Sequence, residues 1–248
     1  MTSFELIILI AVFFVTSVVG VVTGSNSLIT VPVLFQFGVQ PKVAVATNMF
    51  ALVFMAIGGT IPFLRNDQID VKKISPLLVI TAIGSGLGAL LAGSITDQSM
   101  KLLVSVAMIG VAVFILLRRS NNAEERVSSI WGSVTFVLTF LLGIYGGLYS
   151  GGYVTMLTAA LVAFFGMRFG EAVASTKLIN VVSSTIAAAI FMWQGLVDYK
   201  LGIILGITMF ISGYIGAQFA TKMNEIWLKR IFLSTVFVLA IKTIYDFV

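Results

Sequence analysis

The sequence predicts an all-α polytopic membrane protein with two inverted-topology repeats, each a broken, re-entrant helical hairpin followed by three transmembrane helices. Three observations predict it. The chain is too apolar to face water, its second half repeats its first at a fixed offset, and its basic residues gather on one side of a membrane only if the repeats are inverted.

Of the 248 residues, 59% are hydrophobic and 10% are charged, and the mean hydropathy is +1.10. A soluble domain carries about 25% charged residues. The apolar runs 6–22, 74–91 and 102–117 are close to the roughly 20 residues that span a bilayer core. They are too many for a signal peptide or a single anchor, and the first lacks a basic leader, Glu5 being the only charge before Lys42. The chain has no Cys and no His. That excludes disulfides, thiolate chemistry and Cys-based metal sites, and removes the commonest general base and metal ligand. No catalytic residue, metal set or cofactor is therefore assigned, and no nucleic-acid partner. The net charge of +5 reads first as orientation in the bilayer.

The halves align without a gap at an offset of 128 residues. Ala44-Val45-Ala46 matches Ala172-Val173-Ala174, Asp70 and Lys72 match Asp198 and Lys200, and Gly88-Ala89 matches Gly216-Ala217. Gly24, Thr30, Phe37 and Gly38 match Gly152, Thr158, Phe165 and Gly166. The first repeat is 1–118, with a hairpin at about 4–37 and spans at about 44–64, 74–94 and 100–117. A charged linker, 119–127, leads to the second repeat, 128–248, with a hairpin at about 130–165 and spans at about 171–193, 201–220 and 228–247. The hairpins are broken at Gly24-Ser25-Asn26-Ser27 and across 146–152, where Gly, Ser and Asn disfavour a helix interior and supply turn geometry.

The piece after each break is short, about 10 to 13 residues, and at about 1.5 Å per residue it covers only part of a bilayer core. Each broken stretch therefore reads as re-entrant, which leaves three crossings per repeat and inverts the repeats. On that reading one side holds ten basic residues: Arg65, Lys72, Lys73, Arg118, Arg119, Arg126, Arg168, Lys222, Lys229 and Arg230. The other holds four: Lys42, Lys101, Lys200 and Lys242. With single crossings the bias nearly vanishes. The rule that basic loops stay inside thus places the linker in the cytoplasm and both termini outside. Matched interruptions in inverted repeats mark secondary transporters, with the binding site near the midplane. Isolated Gly88 and Gly216 read as helix-packing positions, Asp70 and Asp198 as helix caps, and Trp131, Trp193, Tyr199, Trp227 and Tyr245 as interfacial aromatics.

Gly20-x-x-x-Gly24 with Pro32, Ala44-Val45-Ala46-Thr47-Asn48, the Gly-rich break, Ala174-Ser175-Thr176-Lys177-Leu178-Ile179-Asn180 and Val197-Asp198-Tyr199 together resemble the sulfite exporter TauE/SafE family of bacterial and archaeal permeases. The likeness covers essentially the whole chain. It implies export of sulfite, a sulfonate or a related organosulfur anion across a plasma membrane. Where such proteins often carry a Gly-rich run in the first break, this chain has Ser25-Asn26-Ser27, which bears on which anion fits.

Lys177 is the sharpest chemical feature. A lysine well inside a span costs about 3 kcal/mol or more, so it either snorkels to the interface or faces an interior site. Thr176 and Asn180, each about one helical turn from the other, border it and favour the site: an ammonium beside a hydroxyl and an amide suits an oxyanion. Ser175 and Thr176 align with Thr47 and Asn48, which read either as helix-start residues or as site residues presented with a helix N-terminus. Ser25, Asn26 and Ser27, with Tyr149, Ser150, Gly151 and Gly152, line the floor of the expected site or simply make its turns. Glu171 is the carboxylate nearest that site and the candidate proton-coupling group, although it also suits a helix cap. The expected function is a secondary transporter of a small sulfur-containing anion. An anion channel and, further off, a membrane-embedded enzyme are the alternatives. The expected partners are the anion, the bilayer, a coupling proton and a second copy in a homodimer.

Overall fold

The structure is a computed structural model describing residues 2–24, 26–106 and 129–224, and beyond them 226–228, 230, 231 and 234. All regular elements among these are helical. In order they are α1 (Ser3–Thr23), α2 (Ser27–Gln36), α3 (Pro41–Arg65), α4 (Val71–Ser94), α5 (described over 97–106), α6 (Ser129–Leu148), α7 (Tyr153–Phe164), α8 (Phe169–Trp193) and α9 (Tyr199–Lys222). Five of them, α1, α3, α4, α8 and α9, are long and apolar enough to cross a membrane. The expected linker 119–127 and most of the expected spans 100–117 and 228–247 lie outside the described residues.

The offset of 128 recurs in the element bounds. α3 and α8 are both 25 residues long and start 128 residues apart, and α4 and α9, both 24 residues long, do the same. These helices start two or three residues before the expected spans, and in three of the four a local feature marks the start. Pro41 sits in the first turn of α3, where its missing N–H costs nothing. The Asp70 carboxylate accepts the Lys73 N–H and the Asp198 carboxylate accepts the Leu201 N–H, each at 3.0 Å. Both aspartates are thus the N-caps expected of them.

α1 ends at Gly24, whose φ of 71° is left-handed and whose N–H closes on the Gly20 carbonyl at 2.7 Å. Gly152, at φ 77°, plays the matching part before α7. The second break is shorter than its glycine run predicts. α6 continues through Gly146 and Gly147 and stops at Leu148, leaving only 149–152 non-helical. These two glycines serve packing: a Cβ on Gly147 would collide with the Ser85 backbone of α4, and one on Gly146 would stand 2.8 Å from the Tyr153 ring.

α3 packs against α8 and α9, α4 against α6 and α8, and α1 against α9. Each half therefore completes its packing with helices of the other. The close approaches are matched: a Cβ on Gly88 would run into the Ile144 carbonyl of α6, and one on Gly216 into the Val18 carbonyl of α1. In lipid there is little hydrophobic drive between helices, so small residues that admit backbone contact supply the attraction. Outward faces are apolar, as at Val79, Ile83, Ile207 and Phe219, all more than half exposed. α3 and α8 form the centre, with 72% and 61% of their most apolar stretches buried.

Contacts between helix ends define two poles. At one, Lys73 pairs with Glu171 at 2.7 Å, Gln68 Nε2 donates to the Thr221 carbonyl at 3.4 Å and Arg65 reaches the Tyr214 hydroxyl at 3.4 Å. At the other, the Lys42 N–H donates to Asp97 at 3.0 Å and the Asp198 N–H donates to Thr47 Oγ1 at 3.0 Å.

Candidate functional site

The two breaks meet. A Cβ on Gly24 would fall 2.6 Å from Val154 Cβ, so only glycine admits the start of α7 here. Thr155 Oγ1 donates to the Thr23 carbonyl at 2.6 Å, and the Tyr149 hydroxyl donates to the Ser27 carbonyl at 3.1 Å. Ser27 Oγ and Ser150 Oγ lie 2.7 Å apart. The Tyr145 hydroxyl donates to the Gly151 carbonyl. Carbonyls at both breaks thus accept side-chain hydroxyls of the opposite break or the next turn, as suits polar backbone buried away from water.

Side chains from α3 and α8 hold the short helices in place by a repeated device. Thr30 Oγ1 donates to Asn48 Oδ1 at 2.7 Å, and Asn48 Nδ2 donates to Ser27 Oγ at 2.9 Å. At the offset of 128, Thr158 and Thr176 stand at the places of Thr30 and Asn48, with hydroxyls 3.4 Å apart.

Against these breaks lies a small cavity. Its polar lining is Asn26, Ser27, Ser150, Lys177 and Asn180, and its apolar lining is Gly20, Val21, Leu52, Met55, Ala56 and Val154 with Gly24. Its volume of ≈ 20 Å³ holds about one water molecule. Lys177 is 4% exposed and Asn180 is 6% exposed, and among the described residues Lys177 makes no ion pair, the one pair being Lys73–Glu171. A buried charge is ordinarily paired or bound to a ligand. The cavity thus gathers the Lys177 side chain, the amides of Asn26 and Asn180 and the hydroxyls of Ser27 and Ser150. Such a set offers the donors that charge-assisted hydrogen bonds to a compact anion require.

Five of the expected site residues thus come together: Asn26, Ser27, Ser150, Lys177 and Asn180. Asn48 and Tyr149 stand behind them and hold Ser27, and Gly151 and Gly152 shape the turn. Thr176 does not share the cavity face with Lys177. Successive helical residues diverge by about 100°, and its hydroxyl donates to the Val173 carbonyl at 2.9 Å. Thr47 is also turned away, accepting the Asp198 N–H and so bracing the start of α9. Neither Thr47 nor Asn48 is a helix-start residue, because α3 begins at Pro41. Ser175 is fully buried, with no hydrogen-bond partner for its hydroxyl among the described residues. Ser25 lies outside the described residues. Glu171 is in the first turn of α8, six residues or about 9 Å along the helix from Lys177, and is held by Lys73. It lines a larger cavity of ≈ 340 Å³ at that pole, with Phe63, Asp67, Gln68, Arg168 and Thr221.

The apolar lining is the part that residue chemistry missed. Its signal lay in the repeat: Leu52, Met55 and Ala56 of α3 fall at the places of Asn180, Ser183 and Ser184 of α8, the i, i+3, i+4 positions of one helix face.

Sequence comparison places the chain among known proteins. A sequence profile of the family described as "Sulfite exporter TauE/SafE" matches residues 8–243. The chain belongs to this family. It is similar to a "Probable membrane transporter protein ORF9" of Sinorhizobium sp, 25% identical over 94% of this chain and 90% of that protein. A "Probable membrane transporter protein" of Haemophilus influenzae is also 25% identical, over 97% and 95%. A third relative, "Probable membrane transporter protein YfcA" of Escherichia coli K12, is 23% identical over 94% and 88%. No solved structure matches. Family membership and the five apolar helices make the chain a multi-pass membrane transporter and not an enzyme.

Proposed function

We propose that this transporter exports a small sulfur-containing anion, sulfite or an organosulfonate, by alternating access around a midplane site. The observation that carries the proposal is Lys177: a nearly buried cation, unpaired among the described residues, at the junction of both breaks. Lys177 and Asn180 bind the anion, while Asn26, Ser27 and Ser150 complete the shell. The sulfur chemistry comes from the family description.

The inverted-repeat reading draws support from the end contacts. The Lys73–Glu171 pair puts the end of α3, which leads into Lys73, beside the start of α8. Helices at equivalent places in the two halves then run in opposite directions. The Gln68–Thr221 contact supports the same for α4 and α9, the start of one lying beside the end of the other. The ten-to-four division of basic residues puts the Lys73–Glu171 pole in the cytoplasm and both termini outside the plasma membrane. The larger cavity at that pole is then a cytoplasmic vestibule, lying over the Lys177 cavity along α3 and α8.

The small size of the cavity favours a transporter over a channel. A volume of ≈ 20 Å³ has room for about one water, so an anion of four or more heavy atoms enters only if the walls move. An outward-moving anion also follows an inside-negative membrane potential, worth about 2.3 kcal/mol per charge at 100 mV. A thermal-shift screen of the purified protein against sulfite, sulfate, thiosulfate and sulfonates tests the reading. An anion at 100 times its dissociation constant stabilises the folded state by about 2.7 kcal/mol. Shifts that persist undiminished in Lys177→Ala contradict it.

A further inference from the structure

The cavity has unlike walls. α8 presents Lys177 and Asn180, whereas α3 presents Leu52 and Met55. The repeat sharpens the contrast, because Met55 stands where the second half has Ser183. Ser183 is satisfied within the protein, 2.6 Å from the Ser85 hydroxyl, while Met55 turns a side chain to the cavity. An anion that needs polar partners on every side suits only the α8 wall. An anion with a charged head and a short apolar tail suits both.

Met55 now occupies the apolar side. It is 5% exposed, and its Sδ accepts Asn26 Nδ2 at 3.6 Å. Its Cε lies where a Cβ on Gly20 would come within 3.2 Å, and its Cγ where one on Gly213 would do the same. It is the one long unbranched apolar side chain in the lining, and three rotatable bonds let it yield to a neighbour where a branched chain could not.

We propose that Met55 determines which anions the transporter accepts, by filling the space that an organic anion's tail would take and so setting the longest tail admitted. This rests on Lys177 as the anion's charge partner. The test measures thermal shifts of the full-length protein with sulfite and the methane-, ethane-, propane- and butanesulfonates. Four proteins are compared: unsubstituted, Met55→Ala, Met55→Phe and Lys177→Ala. Met55→Ala is expected to raise the longest sulfonate bound by one or more carbons, with a gain of about tenfold or more in affinity for each methylene newly admitted. Met55→Phe is expected to lower that limit, and Lys177→Ala to lose every anion. A limit that stays the same in both Met55 variants overturns the role of Met55 and leaves Lys177 standing. If Met55→Ala does not fold, an unchanged limit in Met55→Phe alone overturns it. Unsubstituted protein that binds none of the series overturns both.

Discussion

At the scale of single residues, a lysine ammonium at membrane depth without a counter-ion costs about 3 kcal/mol or more, and Lys177 is 4% exposed with no ion pair among the described residues. A folded transporter keeps such a residue where an anion repays the cost in the loaded state. Lys177→Ala should therefore fold at least as stably as the parent while losing anion binding, read by thermal unfolding with and without anion. Lys177→Arg should bind weakly, since a planar guanidinium has no room in a cavity of ≈ 20 Å³. Ser175 makes the contrasting case. Its buried hydroxyl has no partner among the described residues, so Ser175→Ala should leave stability equal or higher and anion affinity unchanged. A fall of more than about 1 kcal/mol in unfolding free energy would mean the hydroxyl is bonded after all. Lys177 was legible in the sequence because charge is rare in such a segment. Whether Ser175, Thr176 or Thr47 shared its cavity was not, because neighbouring residues on a helix face different ways and only the helix's rotation decides which looks inward.

At the scale of elements, the breaks are held less by their own turns than by each other. Ser27 bonds Ser150, Tyr149 bonds the Ser27 carbonyl, and Thr155 bonds the Thr23 carbonyl. Gly24 is the tightest point, left-handed at φ 71° and pressed against Val154. Gly24→Ala should cost about 1–3 kcal/mol for the backbone alone, with the overlap added. It should lower the thermal midpoint and weaken anion binding together, and a variant with parental values for both would refute the close meeting of the breaks. The existence and place of these breaks could be read from Gly, Ser and Asn in an apolar run. The extent of the second could not, since Gly146 and Gly147 look like turn residues but serve α6 by letting Ser85 and Tyr153 approach. A glycine chosen for close contact and one chosen for a turn are the same letter until the neighbouring helix is known. The cap residues Asp70 and Asp198 were legible because capping is local chemistry.

At the scale of the whole molecule, the repeat offset is kept to the residue in α3 with α8 and α4 with α9, while the chemistry inside is unequal: Lys177 stands where the first half has Met49, and Asn180 where it has Leu52. Similar frames thus enclose a cavity polar on one side. Glu171 lies at the cytoplasmic pole of this account, in a pair with side chains 38% and 28% exposed. Such a pair is worth about 0–1 kcal/mol. Glu171→Gln should leave stability nearly unchanged and anion flux intact, and loss of proton-dependent flux in that variant would restore it as a coupling group. The chain has no Cys, so single cysteines at Lys72 and Trp193 report sidedness without background. An impermeant thiol reagent outside cells should label the second and not the first, and the reverse result would overturn the topology. The most direct test of the central claim is anion flux into proteoliposomes. Unsubstituted protein should move sulfite or a short sulfonate with saturation and countertransport, and Lys177→Ala, reconstituted to the same density, should not. Equal flux through the two proteins would contradict the account.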